Sequence, residues 1–174
     1  MVNVHEEYRN FTPPFDIGNA IRKMLETVPP RHLVGLEAVV VTNLSSLNLK
    51  KRRFKHRKRK IDPSDCSGLY HQSTTSRKAW IELFADNLIS GIPIPWFSRF
   101  RFIQELAIAR TLFHEIGHHI DLTTARDHEP EVAADRWGDQ LRKAYMKKYY
   151  SHLEPLILSV RSVVRGIAWL LRAK

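Results

Sequence analysis

The 174-residue sequence predicts an α+β fold: a small, mostly antiparallel sheet packed on two long helices, with an extra amphipathic helix at the C-terminal end. Three stretches predict it. Residues 35–42, Gly-Leu-Glu-Ala-Val-Val-Val-Thr, are rich in β-branched side chains and bounded by Gly35 and Asn43, as a strand is. Residues 100–120 set Phe102, Leu106, Ala109, Phe113, Ile116 and Ile120 three and four positions apart, with no Gly or Pro between Phe100 and Ile116. That period belongs to a helix with a buried face. A second helix opens at Pro130 and carries Val132, Ala133, Trp137, Leu141, Ala144 and Tyr145 to about Tyr150.

In chain order, residues 1–16 read as a lead-in. Pro13-Pro14 mark a turn, and Thr12 or Asp16 is placed to cap the helix after it. Ile17, Ala20, Ile21, Met24 and Leu25 give that helix, short and amphipathic, which stops before Pro29-Pro30. After the strand at 35–42 comes a long connection, residues 43–66. Gly68–His71 suits a second strand. Arg77–Phe84 suits a third, with Trp80, Glu82 and Phe84 alternating with Ile81 and Leu83. Ile92-Pro-Ile-Pro-Trp96 lacks two donors that a central strand needs, so it reads as an extended lead into the first long helix. Residues 121–127 read as a loop, with Asp127 or Glu129 near the start of the next helix.

Beyond Pro155, Leu156, Val160, Val163, Val164, Ile167, Leu170 and Leu171 form an apolar stripe, with Arg161, Arg165 and Arg172 off it. Such a helix either packs on the domain or lies on a membrane surface. The divisions are therefore a lead-in and short helix over 1–34, a body over 35–150 with a basic insertion at 50–60, and a basic amphipathic helix over 151–174.

One cysteine, Cys66, excludes an internal disulfide framework and a cysteine-based zinc site, and fits a reducing, cytoplasmic setting. The first residues, Met1-Val-Asn-Val-His-Glu-Glu, lack the apolar core of a signal peptide. No apolar run reaches the roughly 18 residues of a transmembrane segment. The net charge of +10 is unevenly spread. Lys50, Lys51, Arg52, Arg53, Lys55, Arg57, Lys58, Arg59 and Lys60 fall within eleven residues that contain no acid. Residues 141–174 hold eight basic residues and one acid, and the remainder holds 11 basic against 17 acidic. An acidic body with two basic appendages suggests chemistry in the body and attachment to an anionic partner, nucleic acid or acidic lipid, through the appendages. The dense run repels itself, which predicts a mobile loop or a protruding hairpin. Phe54 is the one apolar residue in it, which leaves little for base stacking.

Inside the first long helix stands His114-Glu115-Ile116-Gly117-His118, an H-E-x-x-H pattern. A shuffled chain of this composition would contain it about 0.03 times. Positions i and i+4 share a helix face, so both imidazoles can reach one zinc ion, with Glu115 beside the water it activates. A catalytic zinc takes three protein ligands. The extended pattern H-E-x-x-H-x-x-G-x-x-H is absent, because Asp121 and Thr124 occupy its Gly and third His positions. Glu131, in the first turn of the next helix, can supply a carboxylate if a short loop folds that helix back. His128 and Glu129 are rivals for the same place. Asp135, one turn on, can accept the other ring N–H of a ligand histidine. His119 lies about 100° round the helix from His118 and reads as a solvated or supporting residue rather than a ligand.

Arg110-Thr-Leu-Phe-His-Glu-Ile-Gly-His-His followed by Glu131-Val-Ala-Ala-Asp-Arg-Trp-Gly resembles the gluzincin peptidases. The short gap between the motifs and the strands before the helix resemble the ImmA/IrrE-like minimal gluzincins. The second motif is similar to that of the HtpX/Ste24-like peptidases, which carry transmembrane helices. ImmA/IrrE-like chains often end that motif with an Asn-Phe-Ala-type run, where this one has Asp135-Arg136-Trp137. The resemblance covers roughly residues 35–145. It implies one zinc on His114, His118 and Glu131, Glu115 as general base and acid, Asp135 behind a ligand histidine, and hydrolysis of peptide bonds in a protein substrate. It also implies that the strand at Ala79–Phe84, like the edge strand of related peptidases, receives the substrate. Tyr70, His71, His128 and Tyr145 all remain open as oxyanion donors. The alternative is a non-enzymatic basic adaptor for nucleic acid or a membrane surface, with a structural metal or none.

Overall fold

A computed structural model of the chain describes residues 1–46, 54–56, 59–61, 66–92, 96, 99–124 and 129–153. In chain order its elements are β1 (Asn3–Glu7), α1 (Ile17–Leu25), β2 (Leu36–Thr42), β3 (Phe54–His56), β4 (Arg59–Ile61), β5 (Gly68–His71), β6 (Ala79–Phe84), α2 (Ala85–Ser90), α3 (Arg101–Thr124) and α4 (Pro130–Tyr150). The class is α+β, as the sequence predicts. β1, β2, β6 and β5 lie side by side in that order in one sheet, and β3 pairs with β4 in a separate hairpin.

The sheet is mixed rather than mostly antiparallel. β1–β2 and β2–β6 run parallel, and β5–β6 is antiparallel. The difference begins with β1, in the stretch read as a lead-in. Val4 is its one half-buried residue, so it shows no alternation to detect. The chain then returns through α1, the kind of crossover that parallel neighbours require. A second difference bears on function. β6 lies between β2 and β5, so Ala79–Phe84 is central and cannot receive an added strand. The edge on that side is β5.

One apolar core joins Ile17, Ile21 and Met24 of α1, Val39 and Val41 of β2, Ile81 and Leu83 of β6, Ile108, Leu112, Phe113, Ile116 and Ile120 of α3, and Leu141 and Tyr145 of α4. The Asp16 carboxylate caps α1 by accepting the Asn19 N–H at 2.7 Å. α2, which the sequence reading did not anticipate, ties two connections to the sheet. Asp86 accepts the Leu44 N–H, and Asn87 donates to the Cys66 carbonyl.

α3 runs through Thr124, so residues 121–124 are helix rather than loop. The hydroxyls of Thr123 and Thr124 bond back to the carbonyls of His119 and Ile120 at 2.8 and 2.7 Å, and Asp121 is buried. At its other end α3 is tied to α4 by Glu105, whose carboxylate accepts from Tyr145, Tyr150 and Arg101. Burial pushes that carboxyl up. The bonds from Tyr150, Arg101 and Tyr145 outweigh it and hold the group below its ordinary value.

Glu129 stands at the N-cap of α4 without a side-chain capping bond. Asp127 and the helix expected beyond Pro155 lie outside the described residues, as do Lys50, Lys51, Arg52, Arg53, Arg57 and Lys58 of the basic run. The rest of that run takes the hairpin form, with Lys55 opposite Lys60 and His56 opposite Arg59. No described helix is long and apolar enough to cross a membrane.

Candidate metal centre

Two helices build the centre, and glycines set their separation. A Cβ on Gly117 of α3 would lie 2.8 Å from the Ala134 Cα of α4 and closer still to the Ala134 carbonyl oxygen. One on Gly138 of α4 would lie 3.2 Å from the His114 backbone nitrogen. The two backbones are thus in contact, and α4 lays its first turn across the H-E-x-x-H face.

The Glu131 Oε2 stands 3.6 Å from the Nε2 of His114 and 3.6 Å from the Nε2 of His118. The two imidazoles meet edge-on, with centroids 4.7 Å apart and planes at 87°. One ligand atom from each of the three residues lies within 4.8 Å of the others, the one such group among the described residues. Around a tetrahedral zinc with bonds of about 2.0–2.1 Å, neighbouring ligand atoms stand about 3.4 Å apart. The two Glu131–histidine separations are close to that, and two imidazoles with one carboxylate suit zinc or another imidazole-binding transition metal rather than calcium or magnesium, which take oxygen ligands. Behind His114, its Nδ1 is 2.8 Å from the Asp135 carboxylate. A carboxylate only accepts, so Asp135 holds a proton on Nδ1 and turns Nε2 toward the group. Glu129 is not part of the group, and His128 lies outside the described residues.

Glu115 sits between the two histidines in sequence but points inward, 7% exposed. Burial pushes its carboxyl up to about 7. The charge of His114 and the Tyr70 backbone N–H work against that rise, and the charge of Glu131 adds to it. β5 covers this residue. A Cβ on Gly68 would lie 2.5 Å from the Thr111 methyl and 3.2 Å from the Glu115 Cγ, so only glycine lets the strand pass this close to α3.

His119 is buried, not solvated, at 1% exposed. Its Nε2 lies 3.0 Å from the Val34 carbonyl and its Nδ1 3.0 Å from the Tyr70 hydroxyl. A carbonyl only accepts, so Nε2 carries the proton. Burial lowers the His119 pKa, against the Val34 bond, and the neutral ring then accepts the Tyr70 O–H at Nδ1.

Three of the open oxyanion donors are therefore engaged elsewhere. Tyr70 donates to His119, and Tyr145 donates to Glu105 from a buried position. His71 bonds to Glu82 and stacks on Trp80 at 3.9 Å. The Cys66 thiol donates to the Gly68 carbonyl at 2.8 Å, and burial pushes its pKa up to about 11. Gly117 and Gly138 were not singled out from the sequence. Their signal was their position inside helical patterns, where glycine is disfavoured by about 1 kcal/mol and persists where backbones approach closely.

No protein-family model, curated protein or solved structure matches this chain.

Gly117→Ala should destabilise the chain by about 1–3 kcal/mol, and if His114, His118 and Glu131 hold zinc its affinity should fall about tenfold or more, because the added methyl meets backbone. At Gly18 the same change meets the Glu6 carboxylate, which can swing aside, and stability should hold or rise. Urea midpoints and zinc competition titrations read both. Wild-type behaviour of Gly117→Ala would contradict the backbone contact.

Proposed function

We propose that this chain is a zinc-dependent metallopeptidase of minimal gluzincin type that hydrolyses peptide bonds of a protein substrate. The observation that carries this reading is the placing of the Glu131 carboxylate 3.6 Å from both His114 Nε2 and His118 Nε2, with Glu115 buried alongside. Zinc held by His114, His118 and Glu131 would supply Lewis acidity toward a scissile carbonyl and the attacking water. Asp135 keeps the His114 ring in the tautomer that can ligate. Glu115 takes the proton of the attacking water and returns it to the leaving amine, a task suited to a carboxyl whose pKa is raised toward neutrality.

The substrate would lie along β5. The Phe84 N–H donates to the Ser67 carbonyl at 3.0 Å. In an antiparallel ladder the inward and outward backbone groups alternate, so those of Gly68 and Tyr70 turn away from β6, and the Tyr70 N–H bonds the Glu115 carboxylate. Among the described residues β5 pairs only with β6. An extended peptide added there would carry its backbone past the catalytic carboxylate.

Glu115→Gln tests the reading. It should keep the fold and the zinc while the rate of cleavage falls about 100-fold or more. Mass spectrometry of a peptide mixture from digested whole-cell protein detects cleavage without knowledge of the natural substrate. Equal rates for variant and wild type would remove the enzyme and leave the basic adaptor.

We further propose that Lys50, Lys51, Arg52, Arg53, Lys55, Arg57, Lys58, Arg59 and Lys60 attach the chain to an anionic partner in a reducing, cytoplasmic setting. Nine cations within eleven residues support this, together with the chain's single cysteine. Replacing four of the nine with glutamine should weaken binding to duplex DNA and lower its log–log salt slope by roughly 0.9 for each phosphate no longer neutralised. An unchanged slope and affinity would contradict attachment through this run.

A further inference from the structure

His119 joins three segments that are far apart in sequence. It belongs to α3, its Nε2–H donates to the Val34 carbonyl, and its Nδ1 accepts the Tyr70 hydroxyl of β5, each at 3.0 Å. The ring is 1% exposed, so water does not compete for either bond. Next to Val34, Gly35 takes a positive φ of 86°, and a Cβ there would lie 3.8 Å from the His119 Cε1. The turn before β2 thus closes over the imidazole. On the other side Tyr70 packs at 5.6 Å between ring centroids.

β5 has particular need of such a tie. It is four residues long and takes its ladder bonds from β6 alone among the described residues. Short edge strands are among the elements that open most readily. Yet this strand lies against Glu115, with Gly68 packed on the Glu115 Cγ. Whatever holds β5 on α3 also fixes one wall around the carboxylate.

We infer that His119 is a positioning residue: through the Tyr70 hydroxyl it clamps edge strand β5 to the motif helix and so holds Glu115 and the substrate edge in register with the His114–His118–Glu131 group. This rests on the peptidase reading above. His119 neither ligates nor takes part in proton transfer. Its action reaches the chemistry only through β5.

The test uses the full zinc-loaded chain. Tyr70→Phe removes one hydroxyl, and His119→Gln is studied beside it. Three quantities are measured: zinc content, amide hydrogen exchange at residues 68–71 against β2 and β6, and kcat and KM on the peptide the wild type cleaves best. Tyr70→Phe should keep its zinc and the protection of β2 and β6. Exchange at 68–71 should speed about tenfold, and kcat should fall about tenfold with a smaller change in KM. Faster exchange with unchanged kcat would show a merely structural tie and overturn the positioning role. Unchanged exchange would overturn the clamp itself. Absence of cleavage by the zinc-loaded wild type would overturn the peptidase reading, and the role at Glu115 with it.

Discussion

Backbone contact between α3 and α4 is the constraint on which the centre depends. His114 and His118 reach a common point by helical spacing alone, one turn apart on α3. The third donor comes from another helix, so its distance is a tertiary quantity. Gly117 facing Ala134, and Gly138 facing His114, remove the side chains that would hold the helices apart. At the far end, Tyr145 and Tyr150 of α4 bond the Glu105 carboxylate of α3, with Arg101 as the third donor. α4 is therefore fixed at two places along a length of roughly 30 Å. Phe113 and Leu141 fill the core between them.

Electrostatics then sort the acids around the histidines into different roles. Glu131 and Asp135 are exposed: Glu131 stands 3.6 Å from the Nε2 of both histidines, and Asp135 accepts from the His114 Nδ1 at 2.8 Å. Glu115 is buried and its pKa is raised to about 7, because desolvation outweighs the help it receives from His114 and Tyr70. A folded-state pKa above the unfolded one means that ionising Glu115 opposes folding at higher pH. Strongly perturbed carboxyls cluster at functional sites, and this one lies within electrostatic reach of His114 and Glu131.

What the sequence made legible was mostly what is local. The H-E-x-x-H spacing, the Pro130 start of α4 and the Asp16 cap each depend on a few neighbouring residues. Glu131 was legible as a candidate because the gap after His118 is short, but its rivals Glu129 and His128 could not be ranked without the helix–helix distance. Strand order was not legible. The alternation in Ala79–Phe84 looks the same whether that strand is central or at an edge. β1 escaped because four of its five residues are exposed. The helical turn at 121–124 read as a loop because its Thr hydroxyls look like turn formers, whereas here they bond back to helix carbonyls. His119 was legible only as solvated or supporting, because the partners that decide between the two stand 49 and 85 positions away.

The proposed metal centre is tested most directly by the zinc content of the purified chain beside that of Glu131→Ala. The geometry predicts about one zinc per chain in the wild type, lost or bound about tenfold more weakly in the variant, since two imidazoles alone make a poor zinc site. Full zinc retention by Glu131→Ala would contradict the three-residue centre, and absence of zinc from the wild type after reconstitution would contradict a metal centre altogether.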